Sequence, residues 1–237
     1  AGALSHDGSI AAISTAQDKV VLYRDGRSSM IGALSGPTKT MAWTRENLLY
    51  LMNGNPLRFY WTDPTQTAGS DLTPQLADPY NGLEGRLVGR ENVLYLQGEQ
   101  QNIVYRCNPA DASRSACALG YRFEVSQDGS SLVVQTDQGD NVGLKLVDLE
   151  RSQGEQLIGL GLDLHDFCVS HDGQSVYYLA KEDGEYALYQ YDRADGRAKH
   201  IMNLPECTLY PTMEAGTLLL NLQKDGVWWV CRLALKG

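Results

Sequence analysis

"SHDGQSVYYLA", residues Ser170 to Ala180, opens on a polar tight-turn signal and runs directly into an apolar stretch. The same arrangement stands at Ser5 as "SHDGSIAAIST" and at Ser126 as "SQDGSSLVVQT". In each, Asp-Gly supplies a corner, because glycine accepts positive φ and the aspartate side chain satisfies nearby backbone donors. One corner written three times predicts a repeated structural unit.

Working outward, weaker copies of the phrase fall at Thr44 in "AWTRENLLYL", Gly89 in "LVGRENVLYL" and Thr212 in "YPTMEAGTLLLNL". The successive spacings are about 39, 45, 37, 44 and 42 residues. Between the corners lie short runs rich in Val, Leu and aromatic residues, such as "KVVLYR", "LRFYWT", "NIVYRC" and "VWWVCRL", punctuated by Asp-Gly and Asn-Gly. That is the pattern of hairpin-linked antiparallel strands, and almost no helix is expected. The fifth unit reads as four strands: "HDFCVS", "SVYYLA", "YALYQYD" and "AKHIMNL". A four-stranded sheet recurring at this period predicts an all-β protein, a six-bladed β-propeller of four-stranded antiparallel blades forming a single domain over residues 1–237. The sixth unit ends after its third strand, "VWWVCRLALKG". The last blade is therefore expected to be incomplete, with its closing strand supplied from upstream of Ala1 or its edge left open.

The 237 residues are 43% hydrophobic, enough for a sizeable core. Twenty-nine acidic residues against 20 basic ones give a net charge of −9, which argues against direct nucleic-acid contact by this segment. No run of about 18 apolar residues is present to cross a membrane as a helix. The opening "AGALSHDG" lacks the regions of a signal peptide and reads as a mature or truncated start, so a membrane connection is expected only through a missing N-terminal anchor. Of the five cysteines, Cys107 and Cys117 bracket the polar "NPADASRSA" and are candidates for a disulfide worth about 3 kcal/mol. Cys168, Cys207 and Cys231 sit in strand-like surroundings and read as small buried hydrophobes. No CxxC pair occurs, so no zinc site and no metal or other cofactor is expected.

The segments "SQDGSSLVVQTDQGDNVGLKLVDLERSQGEQL" from Ser126 and "SHDGQSVYYLAKEDGEYALYQYDRADGRAKHI" from Ser170 resemble the repeats of TolB-type, WD40-like propellers. The shared pattern is S-x-D-G, an apolar second strand, a polar turn, then a third strand ending in Asp, here Asp148 and Asp192, with Gly154 and Gly196 following. Units one, four and five carry it well. The resemblance implies a periplasmic or otherwise extracytoplasmic bacterial setting and a protein partner. Similar propellers also form the sensory domains of membrane-anchored transcriptional regulators of the CadC kind.

Propeller function sits at a mouth of the central channel, so the innermost strand of each unit matters most. Alternate residues there are Lys39, Met41 and Trp43; Glu84 and Arg86; Arg122 and Glu124; His165, Asp166 and Cys168; Glu206, Thr208 and Tyr210. Charges of both signs gather in this set and read first as mutually paired ions. The candidate binding residues at the funnel mouth are Lys39, Arg86, Arg122, Glu124, His165, Asp166 and Tyr210. "GLDLHDFC" is the densest titratable cluster, with Asp163, His165 and Asp166, but no G-x-S-x-G or other nucleophile context accompanies it. The expectation is a recognition module that is not an enzyme. The alternative is a small-molecule-binding or hydrolytic propeller with its site in the funnel. The adjacent aromatics Trp228 and Trp229 must point to opposite sides of one strand; most such residues should pack blades together, and a minority exposed on a rim would anchor a partner. The sequence leaves the oligomeric state open.

Overall fold

A computed structural model of the chain describes residues 2–5, 8–15, 19–31, 37–44, 48–53, 58–62, 70–71, 84–90, 93–97, 102–108, 113–138, 141–150, 155–161, 163–212 and 216–235. Among these residues no helix occurs, and every sheet is antiparallel. The chain divides into two compact units, residues 1–119 and 120–237.

The first unit holds three four-stranded sheets in chain order. Sheet one is β1 (Gly2–Leu4), β2 (Ile10–Ser14), β3 (Val20–Arg24) and β4 (Arg27–Ile31). Sheet two is β5 (Thr38–Trp43), β6 (Leu49–Asn53), β7 (Arg58–Thr62) and β8 (Ser70–Asp71). Sheet three is β9 (Glu84–Arg90), β10 (Val93–Gln97), β11 (Ile103–Asn108) and β12 (Ser113–Leu119). The second unit holds sheet four, with β13 (Arg122–Val125), β14 (Ser131–Gln138), β15 (Asn141–Asp148) and β16 (Glu155–Leu160). Sheet five follows with β17 (Leu164–Val169), β18 (Ser175–Glu182), β19 (Glu185–Asp192) and β20 (Arg197–Leu204). Sheet six has β21 (Cys207–Pro211), β22 (Thr217–Lys224) and β23 (Val227–Ala234), three strands among the described residues.

The repeated Ser-x-Asp-Gly joins first strand to second. At Ser170 the corner closes through four bonds: Gly173 N–H donates to Ser170 O at 3.0 Å, Ser170 Oγ to Asp172 Oδ1 at 2.7 Å, Gln174 N–H to the same carboxylate at 3.1 Å, and Ser175 N–H to Ser170 Oγ at 2.8 Å. Ser126, Asp128, Gly129, Ser130 and Ser131 repeat that circuit. Burial pushes the Asp128 carboxyl up, but the bonds from Ser126 and Ser130 and the neighbouring His171 outweigh it and leave the group below the ordinary carboxylate value. Only the glycine has positive φ in these corners, +74° at Gly129 and +68° at Gly173. A second kind of Asp-Gly makes two-residue hairpins at Asp25, Asp183 and Asp225, where the aspartate is also at positive φ, 50°, 50° and 53°. Both residues at positive φ mark the type I′ turn whose twist suits antiparallel strands.

Consecutive sheets stack face to face within each unit. Ile10, Ala12, Val20, Leu22 and Ile31 of sheet one meet Met41, Trp43 and Leu49 of sheet two, and Trp43 Nε1–H donates to Ala3 O at 3.2 Å. Val133, Leu144, Leu146 and Ile158 of sheet four meet Phe167, Val169, Val176, Tyr178, Ala180 and Tyr191 of sheet five. The opposite face of sheet five sends Cys168, Tyr177, Leu179 and Leu188 against Cys207, Leu209, Leu218 and Leu220 of sheet six. Alternate residues of one strand thus serve two neighbours, which is why "VYYLA" is an unbroken apolar run. Arg193 of sheet five adds a polar tie to sheet four, donating to Asp148 Oδ2 and, at 2.8 Å, to Ser131 Oγ.

The expected disulfide is not formed. All five cysteines are free thiols, and Cys107 lies opposite Arg114, whereas Cys117 falls in a bulge opposite the Val104–Tyr105 step and donates its Sγ–H to Val104 O at 3.1 Å. An offset of two to three residues along the strands separates the pair by roughly 7–10 Å in that direction alone, beyond disulfide reach. Cys107, Cys168 and Cys207 are buried, and Cys231 is partly so. Burial pushes the Cys107 thiol up to about 12 and those of Cys117 and Cys207 to about 11; Cys168 is also raised.

Candidate functional site

The sequence-chosen residues all lie on first strands or at their entrances: Lys39 on β5, Glu84 and Arg86 on β9, Arg122 and Glu124 on β13, His165 and Asp166 on β17, Glu206 just before β21, and Tyr210 on β21. Three of these strands begin with an irregular register. Pairing with the second strand skips from Thr38 to Thr40, from Glu84 to Leu87, and from Leu164 to Asp166. Lys39, Arg86 and His165 are therefore bulge residues, and a bulge re-aims a side chain away from the regular alternation of the strand. The side chains of Lys39, Glu84 and Arg86 lie outside the described residues.

In the second unit the consequences are visible. His165 and Asp166 are adjacent, yet they serve different surroundings. Asp166, only 3% exposed, accepts from Arg122 through Oδ1 and from Leu209 N–H through Oδ2 at 2.6 Å. One carboxylate thereby ties β13, β17 and β21 together, with the Arg122 guanidinium 4.9 Å above the Phe167 ring. A buried charge is tolerable because a cation and a backbone donor engage both its oxygens. Asp166 acts as a structural tie between first strands, the paired-ion arrangement that the mixed charges suggested.

His165 instead faces the end of the sheet. Its Nε2 stands 3.8 Å from Glu206 Oε1, and its ring lies 4.9 Å from that of Tyr186. The Lys181 ammonium sits 5.5 Å from the centre of the Tyr186 ring. Burial, a hydrogen bond to Glu206 and the carboxylates of Glu206 and Asp163 raise the Tyr186 hydroxyl above its ordinary value. Lys181 N–H closes the rim by donating to Asp163 O at 2.8 Å. This group, with Asp163, His165, Lys181 and Glu206 exposed and Tyr186 half-buried, offers donors, acceptors and an aromatic ring. Lys181 and Tyr186 lie on β18 and β19, and counting along first strands alone could not reach them.

The other candidates divide. Glu124 is half-buried and Tyr210 exposed, whereas Met41, Trp43 and Cys168 belong to inter-sheet cores. Trp61 has its side chain, and Tyr80 its whole placement, outside the described residues. Trp228 and Trp229 are both exposed rather than packed. A separate open groove of about 490 Å³ is lined by Val93, Arg106, Asn108, Ser113, Arg114 and Ser115 on sheet three. Register puts Arg106 and Arg114 on opposite faces of that sheet, so the two guanidinium groups do not form one fork. No group of three or more metal-type side chains occurs among the described residues.

Comparison with known proteins places the fold. No protein-family profile matches the chain, and no curated protein matches its sequence. The β-propeller domain of Cps50 (Swd1) from Myceliophteria thermophila superposes over 99% of this chain and 83% of its own, at a TM-score of 0.71 and 12% identity. Kuenenia stuttgartiensis hydrazine synthase matches 92% of this chain and 72% of its own, at a TM-score of 0.66 and 14% identity. TolB from Acinetobacter baumannii matches over 90% of this chain and 58% of its own, at a TM-score of 0.56 and 13% identity. The chain has a β-propeller fold. The hydrazine synthase match corrects the expectation that the chain is not an enzyme, because the same architecture at the same level of likeness occurs in an enzyme.

Proposed function

We propose that residues 1–237 form one extracytoplasmic propeller domain that recognises a protein partner, serving as the sensory domain of a membrane-anchored bacterial regulator. The partner docks at the ends of the first strands of the second unit, on Arg122, Glu124, His165 and Tyr210. The observation carrying this reading is that the entrance bulge of β17 separates His165 from the buried Asp166 and leaves it beside Glu206 and Tyr186. The His165–Tyr186–Glu206 group supplies the mixture of aromatic and charged contacts common at interface anchors. The TolB-like repeats from Ser126 and Ser170 are what supports the compartment.

The test is site-specific photo-crosslinking in cells. A benzoylphenylalanine at position 165 or 206 should give a discrete adduct, while one at Asp195, at the far end of sheet five, should not. Equal adducts at 165 and 195, or none at 165 and 206, would overturn the reading. Turnover of peptide and glycoside substrates, measured on the same protein and lost in His165→Ala, would replace recognition by catalysis at this rim.

A further inference from the structure

In an Asp-Gly pair the aspartate carboxyl can reach the next backbone nitrogen without meeting a Cβ, and the described residues hold this pair in three settings. Asp25, Asp128, Asp172, Asp183 and Asp195 are all exposed, so access to solvent does not separate them. In the corners the glycine N–H is engaged, Gly129 donating to Ser126 O and Gly173 to Ser170 O, each at 3.0 Å. The carboxylates are engaged as well, Asp128 accepting from Ser126 Oγ and Ser130 N–H, and Asp172 from Ser170 Oγ and Gln174 N–H. Asp195-Gly196, in the turn from β19 to β20, keeps the first restraint: Gly196 N–H donates to Asp192 O at 2.9 Å. Asp25-Gly26 and Asp183-Gly184, at the tips of the β3–β4 and β18–β19 hairpins, differ from both. Among the described residues no protein acceptor engages the N–H of Gly26 or Gly184, and a Cβ on either glycine would meet nothing within 4 Å. The one contact of the Asp25 carboxylate is with Arg24 Nε at 3.7 Å.

We propose that Asp25 and Asp183 are sites of self-modification, each converting to isoaspartate through a cyclic imide while the protein stays folded. The glycine nitrogen attacks Cγ of the protonated carboxyl. The N–Cγ bond forms, the Cγ–OH bond breaks, and the hydroxyl departs as water with the amide proton. Water then adds to one of the two ring carbonyls. Opening at Cγ restores aspartate, whereas opening at the main-chain carbonyl leaves the chain running through Cγ and turns the former carbonyl carbon into a free carboxylate. One water leaves and one enters, so the step needs no other reactant. The attacking nitrogen must give up its proton, and an N–H already donating within the protein resists that. Ring closure also swings the aspartate out of its type I′ conformation, and a hairpin tip can open locally without disturbing the sheet behind it. In sheet five the added backbone atom lies beyond the residues that meet sheets four and six, so the fold keeps the product. This site lies on hairpin tips and is independent of the first-strand rim.

The test holds the full chain folded at neutral pH in heavy-oxygen water for several weeks, with circular dichroism unchanged throughout. After digestion in ordinary water, mass spectrometry reads each Asp-Gly peptide. Heavy oxygen reports passage through the ring, and electron-transfer fragments report isoaspartate. Label at Asp25 and Asp183 should exceed that at Asp128, Asp172 and Asp195 by about fivefold or more, the ratio that one hydrogen bond on the attacking N–H supports. In the same chain unfolded in guanidinium, all five sites should take up label at similar rates. Asp195 decides the matter, being exposed like the hairpin sites but followed by a held N–H. Three outcomes would overturn the proposal: Asp195 labels as fast as Asp183 in the folded chain; Asp25 and Asp183 take up no label there; or the ranking persists after unfolding, which would assign it to neighbouring sequence rather than to the turns.

Discussion

Sheets five and six are neighbours built on one plan, and they differ in what covers them. Both contain an unbroken apolar run, "VYYLA" in β18 and "VWWV" in β23. The first is buried along its whole length because sheets four and six lie on its two faces; the second is exposed along its whole length. An apolar run therefore specifies a strand able to bury both faces. Whether it does so is decided by what lies beside it, information that sits elsewhere in the chain.

Phe167, fully buried between sheets four and five, gives the strongest contrast. Phe167→Ala should cost about 3–5 kcal/mol in urea unfolding, whereas Trp228→Ala should stay within about 0.5 kcal/mol. Equal effects would mean that β23 is covered in solution. The tie across first strands comes next. Asp166→Ala removes the partner of Arg122 and leaves Leu209 N–H unsatisfied, so a loss of about 2–3 kcal/mol is expected, discounted because Arg122 is one-third exposed. Asp166→Asn, which keeps an acceptor, should lose less in the same titration.

Two glycines sharpen the comparison further. A Cβ on Gly173 would come within 2.6 Å of Ser131 Oγ in sheet four, while one on Gly226, in the hairpin of sheet six, would meet open space. Both have positive φ, so each alanine variant carries a backbone cost of about 1 kcal/mol, and Gly173→Ala should lose about 1–2 kcal/mol more. Adding Ser131→Ala should recover part of the extra loss and none of the loss at Gly226. The last contrast is in alkali. The Cys207 thiol rises from 9.0 to about 11 on folding, so the folded state holds the proton longer. The stability this provides is complete below pH 9 and is lost as pH climbs through about 11. Urea midpoints from pH 8 to 11 should fall, less steeply for Cys207→Ala.

How much the sequence disclosed follows the range of the forces. Ser5, Thr44, Ser126, Ser170 and Thr212 each stand directly after a first strand, and Gly89 one residue before the end of β9, because corner chemistry is settled within five or six residues. The two uses of Asp-Gly were not separable, since the difference is a φ angle at the aspartate. Candidate residues were sought by strict alternation along inner strands. Alternation carries no sign of a bulge, so His165 and Asp166 read as one cluster although they serve different partners. The disulfide between Cys107 and Cys117 failed for the same reason, because strand register is set by pairing across the sheet and not by spacing along the chain.

The alternating allegiance of sheet five has an evolutionary corollary. One residue inserted within β18 would hand every side chain beyond it to the wrong neighbour, exchanging the sets led by Tyr178 and by Leu179. Insertions at Asp183-Gly184 leave both sets in place. Length variation among descendants of this chain should accordingly collect at hairpin tips, and the fold should grow or shrink only by whole repeats.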